Sequence, residues 1–271
     1  MNYKDKKVAV SGHDGFLGRE LTNKLVELGA NVYSIVGDIR DPETFKALDY
    51  TYDYVFHFAA PSSQVLFKRQ PDYAIETTIK GFLNVAKKCR EEGIKLIYPS
   101  TGVLSQGGTN EYSRCKQLCE DYHRGSGLDA LAVRIFATYG EQEYRKRDFA
   151  SVPYLFARDI VNGKSPVVFG DGSQVRDFVY ITDVINAITI LAEECNDPVI
   201  DIGSGESVSF NTIIDSINNL VTEPVKPTYV NKPANYVQET SANVNRLHDF
   251  YIPQTNLETG IRAIIDALNR K

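Results

Sequence analysis

Short apolar runs alternate with helix-period segments through the first half of this 271-residue chain. That rhythm restricts the fold more than any other feature. VAV (8–10), NVYSIV (31–36), YVFHFAA (54–60), KLIYPS (95–100) and ALAVRIF (130–136) read as strands. Segments 16–28, 72–92 and 112–126 read as helices, the first with leucines at 17, 21, 25 and 28 on one face. Such alternation predicts a parallel sheet covered by helices on both faces, with right-handed crossovers.

Beyond about residue 140 the rhythm loosens. A helix (151–162) precedes PVVFGDGSQVRDFVYI. Then come a helix (182–194), a strand (199–203), a helix (210–220), the connector PVKPTYVNKP and a last helix (256–269). The reading is a body over 1–165 interwoven with a smaller C-terminal α/β lobe over 166–271. A net charge of −5 without a long basic run excludes nucleic acid as a partner. No apolar run reaches the roughly 18 residues of a membrane span. MNYKDKKVAV lacks a signal-peptide core, so a cytoplasmic protein is expected. Cys115 and Cys119 stand one helical turn apart, but no second pair matches them. Cys89, Cys115, Cys119 and Cys195 are therefore expected to be buried free thiols, with no metal site.

Between the first strand and first helix lies SGHDGFLG (11–18), with Gly12, Gly15 and Gly18 three apart. Gly12 suits a tight turn, Gly15 lets a pyrophosphate approach the backbone, and Gly18 lets helix and sheet pack closely. The helix N-terminus points unpaired N–H groups at the phosphates. A purely structural turn is the alternative. With the strand alternation, this loop predicts a Rossmann-like, doubly wound parallel sheet. An acidic ribose reader is expected about 20 residues past the glycines. Asp38 falls there, behind a glycine in GDIRD.

EYSRCK places Tyr112 and Lys116 four apart on a helix, hence on one face. An ammonium beside a phenol lowers its pKa and yields a general base. KLIYPST ends upstream at Thr101, on the strand end that borders the crevice of such sheets. Thr101 would hydrogen-bond the reacting oxygen.

Glycine loop, strand-end threonine and YxxxK, in this order, resemble the extended short-chain dehydrogenase/reductase family. The NDP-sugar epimerase/dehydratase group is the most similar branch. HFAAPSS (57–63), VRIFATYG (133–140), FGDGSQVRDFVYITDV (169–184) and DIGSGESVS (201–209) extend the resemblance along nearly the whole chain. It implies NAD or NADP, with NAD favoured, and a nucleotide-diphosphate sugar as substrate. It implies Thr101, Tyr112 and Lys116 as the catalytic trio, with Tyr112 and Lys116 also touching the cofactor. Gly12, Gly15, Phe16, Leu17 and Gly18 would hold the pyrophosphate. Asp38 and Ile39 would border the adenine, Ala59 would pass the nicotinamide side, and Arg176 would meet the substrate diphosphate. A homodimer through helices 72–92 and 112–126 is also implied.

The chain departs from that pattern in several places. SIV runs almost directly into GDIRD, and only ten residues separate Thr101 from Tyr112. Thr78 and Ala137 replace asparagines, and Lys232 is the nearest cation to a missing C-terminal arginine. Gly102, Val103 and Leu104 follow Thr101, where dehydratases carry an acidic pair and decarboxylases a glutamate. Apolar side chains cannot exchange protons, which leaves epimerase or reductase. The adopted reading is a nucleotide-sugar 4-epimerase acting through a transient 4-keto sugar. A 4-keto-sugar reductase is the alternative with the same trio, and a non-catalytic dinucleotide sensor the alternative of another class. His57 reads as a satisfied core residue, and YRKRD (144–148) as a solvated loop. For Arg176, an ordinary ion pair with Asp177 or Asp183 is the lesser alternative.

Overall fold

The computed structural model describes residues 2–62, 64–233 and 236–270. Ser63, the end of the HFAAPSS segment, lies outside the described residues. In chain order the first elements are β1 (Lys7–Ser11), α1 (Phe16–Glu27), β2 (Asn31–Ile35), β3 (Tyr54–His57), α2 (Gln64–Arg69) and α3 (Pro71–Glu92). Next come β4 (Lys95–Thr101), α4 (Glu111–Ser126), β5 (Ala130–Ile135), β6 (Ala137–Tyr139), α5 (Val152–Val161), β7 (Val167–Phe169) and β8 (Val175–Tyr180). The remainder is α6 (Ile181–Glu194), β9 (Val199–Ile202), β10 (Ser207–Ser209), α7 (Phe210–Asn218), β11 (Thr228–Val230), β12 (Glu239–Thr240), α8 (Asn245–His248) and α9 (Leu257–Asn269).

The chain divides into two compact units. Residues 1–135, 185–201 and 246–251 form the first. Its sheet has six strands in the order β2-β1-β3-β4-β5-β9, and its central pairs run parallel. This is the Rossmann-like α/β fold that the strand–helix alternation requires. Val8, Val10, Val55, Leu96, Ile97, Leu131 and Val133 are completely or almost completely buried, as strands covered on both faces must be. Local chemistry sets the helix ends. Pro71 opens α3, and Gly93 closes it at φ 68, in the left-handed region that a Cβ disfavours. The Asn110 carboxamide accepts the Ser113 N–H (2.9 Å) at the start of α4.

Residues 136–184, 202–245 and 252–271 form the second unit. β8 is its hub, pairing with β6, β10 and β12. The completely buried Asp177 carboxylate accepts the N–H groups of Ser204, Gly205 and Ala242 and the Ser204 hydroxyl. One side chain thereby pins two loops to β8.

Sequence periodicity located the long helices within one or two residues. It left β6, β7, β8 and β10–β12 unassigned; all but the six-residue β8 are two or three residues long, too short to carry a period. α2 was also missed. The run 54–60 stops being a strand at His57. The Phe58 N–H still bonds the Ser11 carbonyl (3.0 Å), and the chain then bends away. The four cysteines are free and buried. Among the described residues no helix is long and apolar enough to cross a membrane.

His57 is a core residue, as read from the sequence. It is buried in β3, and its Nδ1 meets Ser11 Oγ of β1 at 2.8 Å. Burial pushes its pKa down to about 3. The unfolded chain, with a histidine pKa of about 6.5, takes a proton that the folded chain refuses. Stability contributed by neutral His57 is therefore complete above the unfolded pKa and falls as pH drops below it. Urea unfolding at successive pH values should show this loss in the unsubstituted protein, approaching about 1.4 kcal/mol per pH unit below about pH 6. His57→Asn should show a shallower slope over the same window.

Candidate active site

β1, β3 and β4 are consecutive in the sheet and parallel, so their carboxyl ends share one edge. The first βα loop, the bend after β3 and Thr101 all stand there. Gly12 has φ 73, and a Cβ on it would lie 2.6 Å from the Ala59 backbone nitrogen. Gly12 thus lets the first loop press against the segment that carries Ala59. A Cβ at Gly18 would overlap the Gly12 carbonyl, and one at Gly15 would lie 3.1 Å from it. Gly15 caps α1 without a side-chain bond, and no acidic residue occupies the first turn. The first turn of α1 therefore opens without a side-chain cap, and its backbone N–H groups at Leu17 and Gly18 suit an anion. His13 Nδ1 is buried in this loop without a hydrogen-bond partner among the described residues. These features fit the pyrophosphate of a dinucleotide.

The adenine end is less open than the sequence suggests. Asp38 follows β2 in a loop, where Arg40 grips its carboxylate with Nε at 3.0 Å and Nη2 at 2.6 Å. This pairing holds the Asp38 pKa down at about 2. Arg40 also reaches Glu76 (3.2 Å) and lies over the Tyr73 ring, so carboxylates hold it on two sides. The Ile39 side chain is buried in the core and leaves no room for a Cβ at Gly81 of α3. Only the Ile39 backbone is available to a ligand, and its carbonyl already accepts Asn84 Nδ2 at 3.0 Å.

Thr101 ends β4, as the sequence places it, and its hydroxyl accepts the Val103 N–H at 3.3 Å. Tyr112 lies in the first turn of α4, half-buried against the Phe67 ring (5.4 Å between centroids). Its phenol hydrogen-bonds the Thr101 hydroxyl. Lys116 is buried one turn further on and donates to the Pro99 carbonyl of β4 at 2.8 Å. Fold and local helix geometry thus gather all three residues.

One electrostatic expectation fails. Lys116 does not lower the Tyr112 pKa in the free protein; burial raises it to about 12, and the Thr101 hydrogen bond offsets only part of that. Burial also lowers the Lys116 pKa, against the raising influence of Cys119, Cys115 and Glu120. The reason is direction: the ammonium is turned from α4 to the Pro99 carbonyl of β4. Tyr112 is consequently a neutral phenol at pH 7 here. An added positive charge nearby is what would turn it into a base.

Arg176 belongs to the second unit. Its guanidinium donates to the Val175 (2.7 Å) and Val237 (2.5 Å) carbonyls. It also lies 5.6 Å from the ring centroids of both Phe210 and Tyr236. Asp177 is engaged with backbone N–H groups, and Asp183 accepts those of Gln254 and Thr255, so the ion-pair alternative is not what forms. Burial lowers the Arg176 pKa, and no carboxylate among the described residues opposes that shift. Elsewhere in this unit YRKRD folds as 3-10 turns, with Lys146 paired to the buried Glu143 (2.9 Å).

Sequence reading missed Glu120, a fully buried carboxylate one turn past Lys116. A signal was present: a glutamate in register with Tyr112 and Lys116, and an arginine inside the apolar strand ALAVRIF. Thr78 of α3 is buried with its hydroxyl unpartnered among the described residues.

Residues 8–203 match the sequence model of the NAD dependent epimerase/dehydratase family. A putative UDP-glucose 4-epimerase of Methanocaldococcus jannaschii is 24% identical, over 96% of this chain and 97% of its own. A UDP-N-acetyl-alpha-D-glucosaminuronate decarboxylase of Bacillus cytotoxicus is 27% identical, over 83% of each. Among solved structures, the UDP-glucose 4-epimerase of Thermotoga maritima, in complex with UDP-glucose, has the same fold. Its TM-score is 0.89 at 24% identity, covering 97% of this chain and 99% of that one. A UDP-N-acetylglucosamine 4-epimerase from Methanobrevibacter ruminantium scores 0.86 at 25% identity, covering 98% and 99%. This chain belongs to the NAD-dependent epimerase/dehydratase family.

Proposed function

We propose that this protein is an NAD-dependent nucleotide-sugar 4-epimerase. The observation that carries the reading is the Thr101–Tyr112 hydrogen bond at the end of β4, on the sheet edge that also holds the glycine loop. Gly12, Gly15, Phe16, Leu17 and Gly18 would hold the dinucleotide pyrophosphate, with Asp38 and Ile39 toward its adenine and Ala59 toward its nicotinamide. When bound, NAD supplies reversible hydride transfer at the sugar carbon. Tyr112 takes the proton of the sugar 4-hydroxyl and later returns it. Thr101 hydrogen-bonds the same oxygen and aligns it. Lys116 contributes positive charge beside the cofactor. Arg176, a cation without a carboxylate partner among the described residues, suits the substrate diphosphate.

The relatives named above include a decarboxylase, so likeness alone does not choose the reaction. Val103 and Leu104 support the epimerase reading, because neither side chain can exchange a proton as the acidic residues that the resemblance places there in dehydratases and decarboxylases can. A second reading has its own observation. The Tyr112 phenol is protonated in the free protein, the state needed to donate a proton during reduction of a 4-keto sugar nucleotide.

Incubation with NAD and either UDP-glucose, UDP-N-acetylglucosamine or UDP-glucuronate tests the proposal. The expected outcome is interconversion of 4-epimers of one of these, without net change in nicotinamide absorbance. Steady consumption of added NADPH with a 4-keto sugar nucleotide would favour the reductase instead. Tyr112→Phe should lower kcat by about 100- to 10,000-fold while leaving NAD bound. Unchanged turnover in that variant would remove the phenol from the chemistry. Gly18→Ala should weaken NAD retention through gel filtration. It should also destabilise the fold by about 1–3 kcal/mol, because its Cβ overlaps the Gly12 carbonyl.

A further inference from the structure

Glu120 is completely buried, and both of its oxygens are engaged. Oε1 accepts the Ser100 hydroxyl at 2.5 Å and Arg134 Nε at 2.9 Å. Oε2 accepts Arg134 Nη2 at 2.7 Å and Arg124 Nη2 at 3.3 Å. Ser100 and Arg134 face each other across the β4–β5 ladder. One carboxylate therefore ties the middle of α4 to two adjacent strands, and Ser100 is the residue before Thr101. Arg134 extends the tie: its Nη1 donates to Ser105 Oγ (3.2 Å), in the turn after Thr101, and Ser105 Oγ donates to Asp201 Oδ1 (2.7 Å).

We infer that Glu120 is a positioning residue: by clamping α4 to β4 and β5 it sets Tyr112 and Lys116 against Thr101. The inference rests on the proposed role of that trio. Three successive turns of α4 meet three successive residues of β4: Tyr112 at Thr101, Lys116 at Pro99 and Glu120 at Ser100. The Glu120–Arg134 pair is a planar, two-point contact, which fixes orientation as well as distance. A buried ion pair adds little net stability against apolar packing. Its effect here is geometric.

Glu120 also acts on charge. Burial lowers the Lys116 pKa, and Glu120 is among the groups that raise it, with Cys115 and Cys119. Lys116 in turn faces His57 of β3. Glu120 itself faces Arg124, His123 and Cys119 on α4, Tyr98 on β4 and Arg134 on β5. Removing its charge makes Lys116 lose its proton at lower pH.

The test measures Glu120→Gln, Ser100→Ala and Tyr112→Phe in the full chain, using whichever of the three UDP-sugars it turns over. Glu120→Gln should lower kcat by about 10- to 100-fold. KM should stay within about twofold. The alkaline limb of its pH profile should move to lower pH, a change that simple loss of folded protein does not produce. Should Glu120→Gln fail to fold, Ser100→Ala decides, with a smaller fall in kcat at unchanged KM. Wild-type kcat in the folded variant, or a fall with the alkaline limb unmoved, overturns the inference; so does wild-type kcat in Ser100→Ala. Wild-type turnover in Tyr112→Phe, or no turnover by the unsubstituted protein, overturns the proposed function and this inference with it. Loss in Tyr112→Phe beside normal Glu120→Gln overturns this inference alone.

Discussion

In a parallel ladder every strand delivers its last residue to the same edge. β1, β3 and β4 are neighbours in such a ladder, so the glycine loop, the bend at Ala59 and Thr101 arrive side by side although about 90 residues of chain separate the first from the last. The close approach of Gly12 to Ala59, and of Gly18 to Gly12, is then a packing requirement as much as a binding one. No side chain fits in that corner. The residues that shape the cradle therefore also hold the first crossover to the sheet.

Burial sets the protonation states at this edge. It holds His57 neutral, keeps the Tyr112 phenol protonated and weakens the hold of Lys116 on its proton. In the proposed reaction, the charge that would make Tyr112 a base enters with the cofactor, and the chain's own part is to hold the reacting groups at short distance. Rigid placement is thus the protein's main contribution, and polar contacts to backbone carbonyls and between buried side chains supply it.

Much of the fold was legible because its signals are local. The leucine face of residues 16–28 repeats with the helical period, and the apolar stretches of β1, β4 and β5 are the near-continuous runs of strands covered on both faces. Tyr112 and Lys116 were legible because four residues on a helix make one face. The short strands of the second unit were not, because β7, β10, β11 and β12 are too short to repeat. Their positions follow from pairing across the chain, with the Asp177 carboxylate as a common anchor.

The amino-acid sequence by itself determined the parallel sheet, the glycine turn and the identity of the three candidate catalytic residues. All of these depend on local spacing. Only the tertiary structure decided where the Lys116 ammonium points, which carboxylate Arg40 occupies, and how Glu120 joins α4 to two strands. Those outcomes depend on distances between residues far apart in the chain, and on the dielectric that burial creates around them.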